Sequence, residues 1–173
     1  TAVAEKLLPY IKQGIKIVVC EPSCTSALLD DLPDLIEDIN LSNALKSNVM
    51  AIDVFLADAL ASGQLKGKFV AKADHILLHG HCHQKASFGT SGMKDIYQTG
   101  TAKCNEPDSG CCGMAGSFGY EVEHYDVSKK ISELVLIPAI KAAGNETLVV
   151  ANGFSCRHQI HDFAGKKAVH WVE

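Results

Sequence analysis

The chain has 173 residues, 47% of them hydrophobic, with 16 basic against 20 acidic side chains and a formal charge of −4. That size suits one ordinary domain or two small half-domains with a shared core, and the acidic balance, without any basic run, argues against nucleic acid as a partner. No apolar run approaches the roughly 18 residues of a membrane span, and the N-terminal stretch lacks the charged and apolar regions of a secretory leader, so the reading is a cytoplasmic protein with no transmembrane segment.

Residues 3–12 read as the end of an amphipathic helix, after which Gly14 introduces Ile15-Lys16-Ile17-Val18-Val19, a β-branched run typical of a buried parallel strand. This strand delivers Cys20-Glu21-Pro22-Ser23-Cys24-Thr25. Helical patterning runs from Thr25 to Leu35 and again from Ser42 to Leu60, with Val49, Ile52, Phe55, Leu56 and Leu60 on one face. A second buried strand, Ile76-Leu77-Leu78, leads into His79-Gly80-His81-Cys82-His83-Gln84-Lys85 and a helix to Lys94. Asp95–Thr101 reads as a strand carrying into a cysteine-glycine loop. Glu121–Lys141 reads as a helix broken near Pro138, with Val127, Ile131, Leu134, Val135 and Ile140 as its apolar stripe. The strand Thr147–Val150 then delivers Asn152-Gly153-Phe154-Ser155-Cys156-Arg157-His158, and a short helix and a strand over Ala168–Val172 close the chain.

The stretch Ser109-Gly110-Cys111-Cys112-Gly113-Met114 carries the clearest chemistry. Neighbouring side chains on an extended segment point to opposite faces, so Cys111 and Cys112 serve one centre only where the backbone turns sharply, as Gly110 and Gly113 allow. Thiolates are soft ligands that select iron–sulfur clusters, zinc or copper(I), and Cys82, Cys156 and Cys104 are the candidates to join the pair. Seven cysteines, an odd number without a secretory signal, favour such thiolate chemistry over a disulfide framework. Cys104 lies in Lys103-Cys104-Asn105-Glu106-Pro107-Asp108, whose Pro and acidic residues read as an exposed turn. His79, His81 and His83 alternate and would share a face of an extended segment; with His158, two residues beyond Cys156, they are candidates to hydrogen-bond metal-bound sulfur.

Two strand-plus-motif segments align without a gap, Val18 to Thr25 against Val150 to Arg157, so that Cys24 matches Cys156. The expected fold is therefore α/β, with two Rossmann-like halves related by an internal repeat, and parallel sheets with the cysteine loops at the C-terminal ends of their strands. Residues 1–66 would hold the end of a first repeat and residues 67–173 a second one.

Cys82, Cys111-Cys112-Gly113 and Cys156, together with Glu21-Pro22-Ser23-Cys24 and Phe154-Ser155-Cys156-Arg157-His158, resemble the CCG or cysteine-rich domain. That domain occurs in heterodisulfide reductase, in the iron–sulfur subunits of glycolate oxidase and anaerobic glycerol-3-phosphate dehydrogenase, and in FAD-linked D-lactate-type oxidases, to which the wording is most similar. The resemblance implies a 4Fe-4S cluster on Cys82, Cys111, Cys112 and Cys156, with Gly113, His81, His83 and His158 around it. Cys20 and Cys24 would be ligands of a first copy. It also implies that the chain, which starts at Thr1 without an initiator Met, belongs to a longer oxidoreductase. An upstream FAD-binding domain there oxidises a 2-hydroxy acid, and the cluster passes electrons to a quinone or a carrier protein, in the cytoplasm or peripherally at the inner membrane. The copy departs from the pattern at Asn152, which stands where the repeat has Cys20. Two other readings remain beside electron transfer: a structural zinc–thiolate site, with His81 or His83 joining the thiolates, and a thiol–disulfide reductase.

Overall fold

The computed structural model describes residues 2–67 and 69–173. Its helices alternate with short parallel strands, which makes the fold α/β, and the chain divides into two units, Thr1–Leu65 and Lys66–Glu173.

In the first unit α1 (Ala2–Ile11) precedes β1 (Ile17–Val19). Pro22 occupies the first position of α2 (Pro22–Ser26), where its missing N–H would have had no partner in any case. The helix thus begins at Pro22 rather than at Thr25, and it continues through a π-helical stretch, Ala27–Asp31, into α3 (Leu32–Asp34). Asp38 caps α4 (Ile39–Asn48) by accepting from the N–H groups of Asn40 and Leu41. The single helix expected over Ser42–Leu60 is instead interrupted by β2 (Val49–Ala51), with α5 (Ile52–Ala61) following. Pairing with β1, Val18 opposite Met50, supplies backbone hydrogen bonds that outweigh the local helical pattern. Ala4, Ile11, Leu45 and Val49 form the core of this unit. Phe55, expected on the buried face, is exposed, and the fully buried side chain of α5 is that of Asp53.

The second unit begins its sheet with β3 (His75–His79). The helix expected after it is split into α6 (Cys82–Ser87) and α7 (Ser91–Gln98). Residues 95–98 are therefore helical, and the strand expected over 95–101 falls later, at β4 (Lys103–Asn105). The long helix of the second half comprises α8 (Tyr125–Leu134) and α9 (Leu136–Ala142). Its break lies at Val135 (φ −141°, ψ −48°), because the ring of Pro138 would collide with the carbonyl four residues earlier, on Leu134. β5 (Thr147–Ala151) and α10 (Phe154–Ala164) complete the unit, with Gly165 ending α10 in the left-handed conformation. The expected last strand is reduced to one bridge, Val169 to Val150.

β3 is central in this sheet, with β4 and β5 parallel on either side, so that Ile76 faces Cys104 on one flank and Leu148 on the other. All three strands therefore end at the same edge. Below that edge Leu77, Leu136, Ile140, Val149 and Ile160 pack with Cys112, Met114 and Cys156 into one core. The stripe expected on α8 does not form: Val127 and Leu134 are exposed, while Ser128 and Ser132 are buried. A small-residue face is needed there because the cysteine loop comes very close.

Candidate metal centre

Each strand of the second sheet delivers one piece of the site. β3 ends in His79, and Cys82 opens α6 after a two-residue link. β4 runs into the loop that holds Cys111 and Cys112. From β5, Asn152 and Gly153 lead into α10, whose third residue is Cys156, so the helix N-terminus favours negative charge on that sulfur. Loops at the C-terminal edge of a parallel sheet converge in this manner because every crossover returns the chain to the same side.

The cysteine loop is tied down at both ends. Glu106 accepts from Thr90 Oγ1 at 2.7 Å and pairs with Lys94 at 2.5 Å, and Lys85 Nζ donates to the Ser109 carbonyl. Burial pushes the Glu106 carboxyl up, but the hydrogen bonds from Lys94 and Thr90 and the charges of Lys94 and Lys85 outweigh it, leaving the group below its ordinary value. At the far end Gly113 adopts φ 101°, and a Cβ there would collide with the Ser128 carbonyl and lie 2.9 Å from Gln159 Nε2. Gln159 Nε2 donates to Ser128 O and Oγ at 3.2 and 3.0 Å, locking α8 and α10 around the turn. A second close approach occurs at Gly153, where a Cβ would strike the His81 ring and lie 3.0 Å from Cys156 Sγ.

The four cysteines expected to act together form a continuous chain of sulfur contacts. Cys82 bonds to Cys111, Cys111 to Cys112, and Cys112 to Cys156. Sharing protons along that chain polarises it. Cys111 is pulled well below the usual thiol range by the S–H groups of Cys112 and Cys82 and by the N–H groups of Gly113 and Ala115, against its burial; the Gly113 N–H lies 3.3 Å from its sulfur. Cys156 is likewise held low, by Cys112 and, against its own burial, by His79 and the charge of His81. Cys82 and Cys112 are pushed up, Cys82 by the hydrogen bond to Cys111 and by burial, Cys112 by the bonds to Cys111 and Cys156 and by burial. Along the run the sulfurs held low, Cys111 and Cys156, thus alternate with those pushed up, Cys82 and Cys112. Replacing the shared protons with a soft cation would relieve the crowding, and the donor set fits such an ion or cluster. A ring nitrogen of His79 lies within 4.8 Å of the sulfurs of Cys112 and Cys156, all three residues buried.

The remaining candidates are placed differently. Cys104 is not in an exposed turn: it is partly buried in β4, and burial raises its thiol. The strand forms because Lys103–Asn105 pairs with the exposed edge of β3, a partner remote in sequence. The three histidines do not share a face, because the backbone turns into α6 between them. His81 is buried and caps α6 by accepting from the His83 N–H at 3.3 Å, whereas His83 is exposed and stands edge-on to His81 at 5.4 Å. His158 is exposed against Phe154, with ring centroids 4.4 Å apart. Arg157 donates to the carbonyls of Ala151 and Asn152 at 2.9 and 2.5 Å, closing the end of β5. In the first unit Cys20 and Cys24 are both exposed, and Cys24 is the third residue of α2, as Cys156 is of α10. Ser109, Ser128 and Gln159, which build the site, carry no sequence signal of their own; glycine recurs at every third residue, 110, 113, 116 and 119, as suits a loop wrapped closely round a centre.

Such a sulfur-rich edge on an α/β unit is compatible with metal binding, and the proteins similar to the chain are dehydrogenases by name. No protein-family model matches it. A D-2-hydroxyglutarate dehydrogenase from Haemophilus influenzae is 26% identical over 164 residues, which are 91% of this chain and 16% of that protein. The D-2-hydroxyglutarate dehydrogenase of Pantoea ananatis is 26% identical over 169 residues, 96% of this chain and again 16% of the relative. A subunit of the anaerobic glycerol-3-phosphate dehydrogenase from Escherichia coli is 26% identical over 150 residues, 86% of this chain and 36% of that polypeptide. The chain therefore spans about a sixth to about a third of the length of these relatives. Among the described residues no helix is long and apolar enough to cross a membrane.

Proposed function

We propose that the second unit is an iron–sulfur electron-transfer module of a larger oxidoreductase, with a 4Fe-4S cluster held by Cys82, Cys111, Cys112 and Cys156. The observation that carries this is the unbroken run of sulfur contacts linking those cysteines, drawn from three separate strand ends. Four thiolates are the number such a cluster requires, and it supplies reversible one-electron storage when bound. The protein's part is to present four sulfurs from rigid strand ends, to bury Cys112 and Cys156 away from water, and to bring the histidines and backbone N–H groups that balance their charge. The dehydrogenase relatives support a place downstream of a 2-hydroxy-acid oxidation. In that arrangement an FAD-binding domain elsewhere in the same protein feeds electrons in, and a quinone or carrier protein takes them away, either in the cytoplasm or at the surface of the inner membrane.

The first unit reads as the end of an earlier cysteine-rich repeat, with Cys20 and Cys24 as its ligands and both halves Rossmann-like. Support comes from the local likeness of β1–α2 and β5–α10. Each strand is followed by two residues and then by a helix whose third residue is the matching cysteine, and Glu21 and Gly153 before those helices are both extended.

A zinc–thiolate site is the second reading, favoured by the buried group of His79, Cys112 and Cys156. Anaerobic reconstitution with iron and sulfide, followed by metal analysis of single Cys→Ser variants at 82, 104, 111, 112 and 156, tests both. The cluster reading expects near-equal iron and sulfide and a visible charge-transfer absorption, retained in Cys104→Ser and weakened or abolished in the other four. A colourless protein holding one zinc ion per chain would favour the second reading, and a Cys104→Ser protein without iron beside a Cys156→Ser protein with it would overturn the ligand assignment.

A further inference from the structure

The imidazole of His79 is completely buried at the last residue of β3. Its Nδ1 lies 2.9 Å from Ser109 Oγ. Its Nε2 is buried and pairs with no oxygen or nitrogen, while the ring stands among the sulfurs of Cys112 and Cys156 and hydrogen-bonds that of Cys156. A buried imidazole nitrogen left unpaired is costly, so the arrangement is explained only when the sulfurs are counted as its partners.

Two neutral tautomers are available. Were Nδ1 to carry the proton and donate to Ser109, Nε2 would turn a lone pair towards sulfurs that have lost their protons to a metal, and acceptor would face acceptor. With the proton on Nε2 the conflict vanishes: the Ser109 hydroxyl donates to Nδ1, and Nε2–H, on the nitrogen that Ser109 does not engage, is left to serve the hydrogen bond to the Cys156 sulfur. Ser109 can hold this orientation, because its carbonyl receives Lys85 and its N–H donates to the Pro107 carbonyl at 2.7 Å, which fixes its backbone on both sides.

We infer that His79, with its tautomer set by Ser109, is a positioning residue that donates an Nε2–H hydrogen bond to the metal-bound sulfur of Cys156 or Cys112 and thereby raises the reduction potential of the centre. This inference rests on the iron–sulfur reading for the potential, but not for the tautomer. Hydrogen bonds to cluster sulfurs withdraw electron density and favour the reduced state. With four sulfurs already filling the donor set, the imidazole is not itself a ligand.

The test has two arms, both on the 173-residue chain. In the metal-free protein, ¹⁵N-detected imidazole spectra should show His79 as the Nε2–H tautomer, with Ser109→Ala shifting it towards a mixture; a wild-type Nδ1–H tautomer overturns the inference. In protein reconstituted anaerobically, His79→Leu and Ser109→Ala should keep the wild-type iron and sulfide content while the midpoint potential, read by titration with paramagnetic-resonance detection, moves down. His79→Gln, which retains an N–H donor, should recover part of the shift and guards against misfolding of the leucine variant. A wild-type potential in both His79 variants at full iron content overturns the inference, as does loss of iron in both, which would make the imidazole a ligand. A wild-type chain that takes up no iron while showing the Nε2–H tautomer would sink the cluster reading alone and leave the hydrogen bond to the free thiolate standing.

Discussion

Replacing Gly113 by alanine tests the claim that the cysteine turn is locked between α8 and α10 rather than merely flexible. Gly113 lies at φ 101°, a region where a Cβ-bearing residue is strained by about 1–2 kcal/mol. The new methyl group would also meet the Ser128 carbonyl and approach Gln159 Nε2 at 2.9 Å. That carbonyl is backbone within α8, so the turn itself has to shift off the helix; the Gln159 side chain is displaced as well, and its bonds to Ser128 O and Oγ are lost at about 1 kcal/mol each. Strain and lost bonds together amount to roughly 3–4 kcal/mol, a large share of the ~5–15 kcal/mol that holds a domain folded. Gly110, three residues earlier, is the internal control: it is exposed, and a Cβ there meets nothing within 4 Å, so Gly110→Ala should stay within about 0.5 kcal/mol of wild type. Equilibrium urea unfolding under reducing conditions reads both variants, and iron uptake should fall in Gly113→Ala and hold in Gly110→Ala. A Gly113→Ala protein less than about 1 kcal/mol below wild type would refute the reasoning, because neither the positive φ nor the Ser128 contact could then be as described.

Two further outcomes can be measured on the same preparations. The double variant Cys20→Ser, Cys24→Ser should take up as much iron on reconstitution as wild type, since residues 1–65 offer only these two cysteines, half the four that a 4Fe-4S cluster needs; loss of all iron would make them ligands of the second-unit centre. Glu106→Gln should reduce stability by about 1 kcal/mol at pH 7, a charge-assisted contact discounted for the partial exposure of Lys94. Because the folded carboxyl titrates below its unfolded value, its contribution is fully present above the ordinary carboxylate range near ~4.3 and fades as the pH falls through the lower folded value. Urea midpoints of the two proteins should therefore differ at pH 7 and draw together below pH ~4, and a constant gap across that range would count against the ion-pair account.

The α/β class and the parallel placement of the cysteine motifs could be read directly from the chain, because runs such as Ile76-Leu77-Leu78 and Leu148-Val149-Val150 declare buried strands through composition alone. The pairing of two cysteines with glycine at Cys111-Cys112-Gly113 likewise marks a turn that packing does not require. What sequence could not supply were features created by partners distant in the chain. Val49–Ala51 continues a helical pattern and becomes a strand only because β1 offers it backbone hydrogen bonds. Cys104 sits in a polar stretch that reads as a turn, and it is drawn into β4 by the free edge of β3. The apolar spacing of α8 pointed to Val127 and Leu134 as core, yet close approach of the Gly113 turn selects the serine face. His79 looked like one of three equivalent alternating histidines. Tertiary structure alone separates them: a helix starting at Cys82 turns His83 outward, while Ser109, thirty residues away in the chain, holds the His79 ring towards the sulfurs. Local residue types determined which chemistry the chain can carry, and non-local hydrogen bonding decided which side chains surround it, since periodicity encodes the face of an element but not its neighbour.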